Sequence, residues 1–139
     1  MDSTYSLHHR VPTADELAHL RELNEMGARS MAGLRRGLPN SLFGVVVTTS
    51  EEGAEVVVGT GRVVGDGASV FHVCDMVVHP DHQSEGLGTR IMDALMAYIE
   101  EAASLDAYVN LLADVEGFYE RWGFERTAPV SRGMFLRTE

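Results

Sequence analysis

The stretch Val77–Gly88, VVHPDHQSEGLG, constrains this chain more than any other. It joins a β-rich run, Ser69 to Val78, to a run with helical periodicity, Leu87 to Glu101, through a loop that holds Gly86 and Gly88. A helix start leaves its first backbone N–H groups without partners and carries about half a positive charge, so an anion placed there is both hydrogen-bonded and electrostatically stabilised. With no Cβ at 86 and 88, successive amides can point into one concavity while Leu87 between them turns to the core. Such a junction is built for phosphate.

The rest of the chain supplies the frame. Tyr5 to Val11 alternates weakly and predicts a short strand closed by Pro12. Thr13-Ala14-Asp15-Glu16 is a capping box, and Leu17, Leu20, Leu23 and Met26 then predict a helix running to Gly27. A second short helix is expected after Ser30, through Met31 and Leu34, stopping around Gly37 to Pro39. Leu42 to Thr49, Glu55 to Val64 and Ser69 to Val78 are β-rich runs joined by short polar turns. They read as an antiparallel meander, because parallel neighbours need crossovers of about a dozen residues. Leu87, Ile91, Leu95 and Ile99 lie on one helical face, with Met92 and Met96 widening the stripe. Ala107 to Leu112 is a further strand, parallel to the one before that helix. A helical stretch from Glu116 to Trp122 and a last strand near Met134 to Arg137 complete the order β-α-α-β-β-β-α-β-α-β-β. This is a mixed α+β fold in a single domain over residues 1–139, without internal repeats. The order argues against a dinucleotide fold, which needs repeated βαβ units and G-x-G-x-x-G spacing.

Two motifs carry a resemblance. Gln83-x-x-Gly86-x-Gly88 after Val77-Val78, and Phe118-Tyr119-Glu120-Arg121-Trp122-Gly123-Phe124 downstream, resemble the pyrophosphate loop and the F-Y-x-x-x-G-F segment of the GNAT N-acetyltransferase superfamily. The resemblance covers about residues 42 to 137, and the first two helices fit it by position. It implies an acetyltransferase fold with a mostly antiparallel central sheet of about six to seven strands, one parallel pair splayed at the acyl-CoA site, and about four helices. It implies transfer of an acetyl group from acetyl-CoA to a primary amine by direct attack in a ternary complex. The backbone of Met76, Val77 and Val78 would take the pantetheine chain. Gln83, Ser84, Glu85, Gly86, Leu87, Gly88 and Thr89 would form the pyrophosphate site, with Arg90 one turn into the helix adding charge. Two departures stand out. Family loops often carry a basic residue where Gln83 or Glu85 stands, and an Asn that commonly precedes the final short helix is not evident near Leu112.

An alkylamine of pKa about 10.4 costs roughly 4 to 5 kcal/mol to deprotonate at neutral pH, so a base is needed. His72 is the candidate: the resemblance places it where several family branches carry a Glu or His, and an imidazole of pKa about 6.5 suits the task. Strand alternation puts Cys74 and Met76 on the face of His72 and sends Asp75 to the other. A bulge would turn Asp75 inward and make it the rival base, or the group that orients His72. Tyr119 matches the family's general acid. A thiol of pKa about 8.5 against a phenol of about 10 makes full proton transfer uphill by roughly 2 kcal/mol, so hydrogen-bond donation to the departing thiolate is the role expected. Cys74 has no histidine paired with it in sequence and reads as an inert buried thiol. His8, His9, His19, His79 and His82 show no zinc spacing, and no metal is expected.

The net charge of −10 argues against a nucleic-acid partner and favours acceptors that are cationic before deprotonation. All eleven basic residues are Arg, to which no function attaches. A single cysteine, no apolar h-region and no run near the roughly 18 to 20 apolar residues of a membrane span predict a cytoplasmic protein without a membrane partner. The partner expected is a small-molecule or peptide amine, and the reading allows a homodimer. Acceptor choice falls, by the resemblance, to Met26–Ser41 and Thr127–Gly133. The competing reading is a catalytically silent acyl-CoA-binding sensor or subunit, because the pyrophosphate loop asks nothing of His72 or Tyr119.

Overall fold

The computed structural model describes residues 4–27 and 29–138. One sheet runs in the order β1 (Tyr5–His8), β2 (Phe43–Glu51), β3 (Ala54–Gly65), β4 (Val70–Val78) and β5 (Tyr108–Asn110). The first four strands are antiparallel neighbours and β5 pairs parallel with β4. Three α-helices cover it: α1 (Ala14–Leu23), α2 (Met31–Gly37) and α3 (Leu87–Ala102).

The capping box forms as the sequence dictates, with Glu16 N–H donating to Thr13 Oγ1 at 3.1 Å and Thr13 N–H donating to Glu16 Oε1 at 2.9 Å. α1 ends at Leu23 rather than Gly27 because the Asn24 and Met26 N–H groups both bond the Arg21 carbonyl, around Glu25 at φ 55°. On one face of the sheet, Leu87, Ile91, Met92, Leu95 and Ile99 of α3 bury against Val45, Val47, Val63, Phe71 and Val73. Each such side chain contributes roughly 1.5–3 kcal/mol. On the other face, Leu17, Leu20, Leu34 and Leu38 of the first two helices and their flank pack with Val77.

Among the described residues the sheet has five strands rather than six to seven, and there are three α-helices rather than four. The expected helix from Glu116 to Trp122 is reduced to a 3₁₀ turn, Tyr119–Trp122, held between Gly117 and Gly123, both at positive φ. The expected last strand is not formed. β5 is only three residues long and offers little edge to pair with, and Met134, Phe135 and Leu136 stay exposed.

One irregularity positions the site. Thr60 pairs with Val77 but Arg62 pairs with Cys74, so Gly61 faces Asp75 and Met76 together in a β-bulge, with Asp75 at φ 55°. The extra residue reverses the side-chain alternation of β4. Phe71 and Val73 point to α3 before the bulge, and Met76 does so after it, while Val77 joins the α1/α2 side. This corrects the expected alternation: Met76 leaves the face of His72, and Asp75 turns onto the α1/α2 side. Gly61 permits the close approach. A Cβ there would lie 2.7 Å from both Ile91 Cγ2 and Met76 Sδ.

Candidate active site

β4 and β5 pair only from Val70 to His72 and from Tyr108 to Asn110, after which β4 continues to Val78 paired with β3 on its other edge only. The parallel pair is thus splayed, and α3 begins beside the free end of β4. Between them opens a cavity of about 540 Å³ whose walls include Met76, Val77, Val78, Gln83, Ser84, Gly86, Leu87, Gly88 and Thr89. Met26 from the segment after α1 and Phe118 and Tyr119 from the late 3₁₀ region close it. Of the expected loop residues, Glu85 and Arg90 do not line it.

The start of α3 is open toward this cavity. Its cap is Gly86 at φ 79°, which offers no side chain to the first-turn amides, and Ser84 is also at φ 70°. Alternating left-handed residues before an uncapped helix start gather N–H donors that an anion can accept from. Gly88 lets the late segment close in, since a Cβ there would lie 3.4 Å from Phe118 Cζ. Gln83 is a brace: its Nε2 donates to the Val78 carbonyl at 3.1 Å and to Asn24 Oδ1 at 3.2 Å. His82 is another, with Nδ1 accepting from the Tyr5 hydroxyl at 2.9 Å and Nε2–H donating to Glu51 at 3.3 Å.

A cation other than Arg90 reaches the start of α3. Arg121 donates from Nη2 to Thr89 Oγ1 at 3.1 Å and lies over the rings of Phe118 and Trp122, 4.6 and 5.1 Å from their centroids. Trp122 Nε1–H donates to Asp93 at 2.9 Å and ties this turn to α3. In sequence Arg121 is one of the variable positions of F-Y-x-x-x-G-F, and only the turn's docking on α3 brings it to Thr89.

His72 sits at the apex of the splay. Its Nδ1 is 2.6 Å from Asn110 Oδ1, and because an amide oxygen only accepts, in the neutral ring Nδ1 carries the proton and Nε2 the lone pair. Asn110 stands close to Leu112 but ahead of it, and it meets His72 through the parallel register of β4 and β5. Sequence reasoning missed it, since strand pairing alone reveals the partner. Burial, and after it the charge of Asp114, push the Tyr119 phenol above its ordinary range. Burial likewise pushes the Cys74 thiol up.

Asp75 has no contact with His72 in the described hydrogen bonds. Its two oxygens accept from Arg21 Nη1 and Arg29 Nη1, each at 3.0 Å, and from Arg62 Nε at 2.7 Å. Burial works to raise its pKa, but the bonds from Arg29 and Arg62 and their charges outweigh it and hold the carboxyl below the usual range. A carboxylate so held is a poor proton acceptor. Among the described residues no group of three or more His, Cys, Asp or Glu could hold a metal, and no helix is long and apolar enough to cross a membrane.

Comparison with known proteins gives three kinds of likeness. The Acetyltransferase (GNAT) domain family model matches residues 42–126. The crystal structure of SA2161 from meticillin-resistant Staphylococcus aureus, a protein of unknown function described as a probable acetyltransferase, matches with a TM-score of 0.87 and 32% identity, covering 96% of this chain and 99% of that one. The uncharacterized N-acetyltransferase ycf52 of Pyropia yezoensis is 26% identical over 107 residues, which are 77% of this chain and 62% of that protein. Serotonin N-acetyltransferase 2, chloroplastic, of Oryza sativa subsp. japonica is 32% identical over 101 residues, 73% of this chain and 50% of the relative. The chain therefore spans between half and two thirds of these curated relatives' length.

Proposed function

The chain belongs to the GNAT acetyltransferase family, and from that premise we propose that it acetylates a primary amine with acetyl-CoA, by direct attack in a ternary complex. The observation that carries this reading is the glycine-capped start of α3 opening into the same cavity as Tyr119, along the stretch of β4 that β5 does not cover. The residues present fit the cofactor: uncapped amides for a pyrophosphate, an unpaired strand edge for an amide-bearing chain, and a cavity between them. Acetyl-CoA supplies a thioester carbonyl that a free amine attacks, giving an amide and the CoA thiol.

Each residue has a task that follows from its position. The amides of Leu87, Gly88 and Thr89 hold the pyrophosphate, with Arg121 supplying the charge that Gln83 and Glu85 do not. The edge of β4 from Met76 to Val78 aligns the pantetheine, although the Val78 carbonyl already accepts from Asn24 and Gln83 and leaves less for a ligand. Nε2 of His72 takes the proton that the ammonium must lose, an uphill step of roughly 4 to 5 kcal/mol that a base at the site offsets. Asn110 fixes the ring in the tautomer this requires. Tyr119, kept as a neutral phenol, donates a hydrogen bond to the leaving thiolate.

The test is release of free thiol from acetyl-CoA in the presence of a panel of amines. Thiol release that depends on the amine, with matching N-acetyl product, supports the transferase. Acetyl-CoA binding without turnover on any amine would leave an acyl-CoA-binding module in its place.

A further inference from the structure

In a chain of net charge −10, one buried cluster is cationic. Arg21 from α1, Arg29 from the segment before α2 and Arg62 from β3 converge on the single carboxylate of Asp75 at the bulge. Three guanidiniums against one carboxylate leave an excess of positive charge in a half-buried place. The Asp75 side chain is 1% exposed, Arg21 8%, Arg62 13% and Arg29 38%. Burying charge is costly unless it is paired, and a network serving stability alone has no use for two surplus cations.

The cluster lies on the face of β4 that carries His72. Arg62 pairs with Cys74, and Cys74 is two residues from His72 on the same face of β4, a rise of about 7 Å. Arg62 is oriented by a second bond, from Nη1 to Ser41 Oγ at 3.0 Å, and Arg21 by a bond from Nη2 to the Gly27 carbonyl. Arg29 commits only Nη1, to Asp75, and is the most exposed of the three. A guanidinium has more N–H donors than these bonds use, and its planar fork fits the oxygens of a carboxylate or phosphate.

We infer that Arg29 and Arg62, backed by Arg21, form an oxyanion subsite beside His72, so that the acceptor is a primary amine that also carries a carboxylate or phosphate group. The inference rests on the transferase reading above. It sets local recognition against the long-range field of the acidic chain, which attracts the ammonium end of the same molecule.

Matched acceptors separate the two ideas. Thiol release is measured with γ-aminobutyrate against its amide and with phosphoethanolamine against ethanolamine, for the parent, Arg29→Gln and Arg29→Lys. The parent should favour one anionic member over its neutral match by about 10- to 100-fold in kcat/KM, Arg29→Gln should collapse that ratio, and Arg29→Lys should keep part of it. Whichever anionic arm prevails identifies carboxylate or phosphate. Calorimetric binding of the same two anionic amines without acetyl-CoA gives a second readout, and it should weaken in Arg29→Gln but not in Gly86→Val. Equal turnover of acid and amide, unmoved by Arg29→Gln, overturns the subsite and leaves the transferase standing. Binding lost in Arg29→Gln with no turnover on any amine upholds the subsite and removes the transferase. Neither binding nor turnover of any anionic amine overturns the subsite.

Discussion

His72 and Asp75 sit three residues apart on one strand and meet opposite fates, which their partners decide. An imidazole held through Nδ1 by an amide oxygen presents a lone pair at Nε2, whereas a carboxylate gripped by three guanidiniums is held ionised and is a poor proton acceptor. His72→Ala should therefore lower kcat/KM most at low pH and progressively less as pH rises and free amine becomes available, measured from about pH 6 to 9.5. A loss constant across that range would make His72 a packing residue. Asp75→Asn should act on the fold, since it leaves the cations of Arg21, Arg29 and Arg62 facing one another without a carboxylate. A destabilisation of about 3–5 kcal/mol is expected in denaturant titration, and a variant as stable as the parent would show that the arginines find other anions.

At the scale of elements, the approach of α3 to the sheet depends on the absence of a side chain at Gly61. Gly61→Ala must displace Ile91 or Met76 and should cost about 1–3 kcal/mol of stability by thermal or chemical unfolding, although alanine suits a strand no worse than glycine. Gly86 works by conformation instead, because its φ of 79° is strained for a branched side chain and no neighbour crowds it. Gly86→Val should weaken acetyl-CoA binding about tenfold or more by calorimetry, and unchanged binding would sink the phosphate-loop reading. The strand meander, the capping box and α3 were legible in the sequence because each rests on local rules: turn length, a side chain reaching three residues, an apolar residue on every fourth position. The loop was legible for the same reason. The bulge was not, since Asp75 looks like any residue in an alternating run until Gly61 is seen opposite it. Asn110 and Arg121 lay beyond reach too, one brought to His72 by parallel register and the other to Thr89 by the docking of a 3₁₀ turn. The strand expected at Met134 to Arg137 shows the converse error: β-like composition does not make a strand where the neighbouring edge ends after three residues.

Across the whole molecule, acid should unfold the chain through a few identifiable carboxylates. Asp75 and Glu16 have folded-state pKa values below their ordinary 3.8 and 4.5: against burial, Arg29 and Arg62 hold Asp75 down, and the Arg10 bond lowers Glu16. For groups depressed on folding, the stabilisation is complete above the ordinary value and disappears as pH falls through the folded one. Stability measured against pH should therefore be flat in these two groups above about 4.5 and fall below it, and the fall should be shallower in Asp75→Asn than in the parent. The one-residue excess in β4 has a reach of its own. By reversing which side chains face which layer, it divides a single strand into two registers: positions 72 and 74 face the α1/α2 side and positions 76 and 78 the α3 side, so in the transferase proposed above the first pair would serve the amine and the second the thioester. On that proposal, substitutions in the first half should change what is acetylated while the second half keeps its grip on the acyl donor.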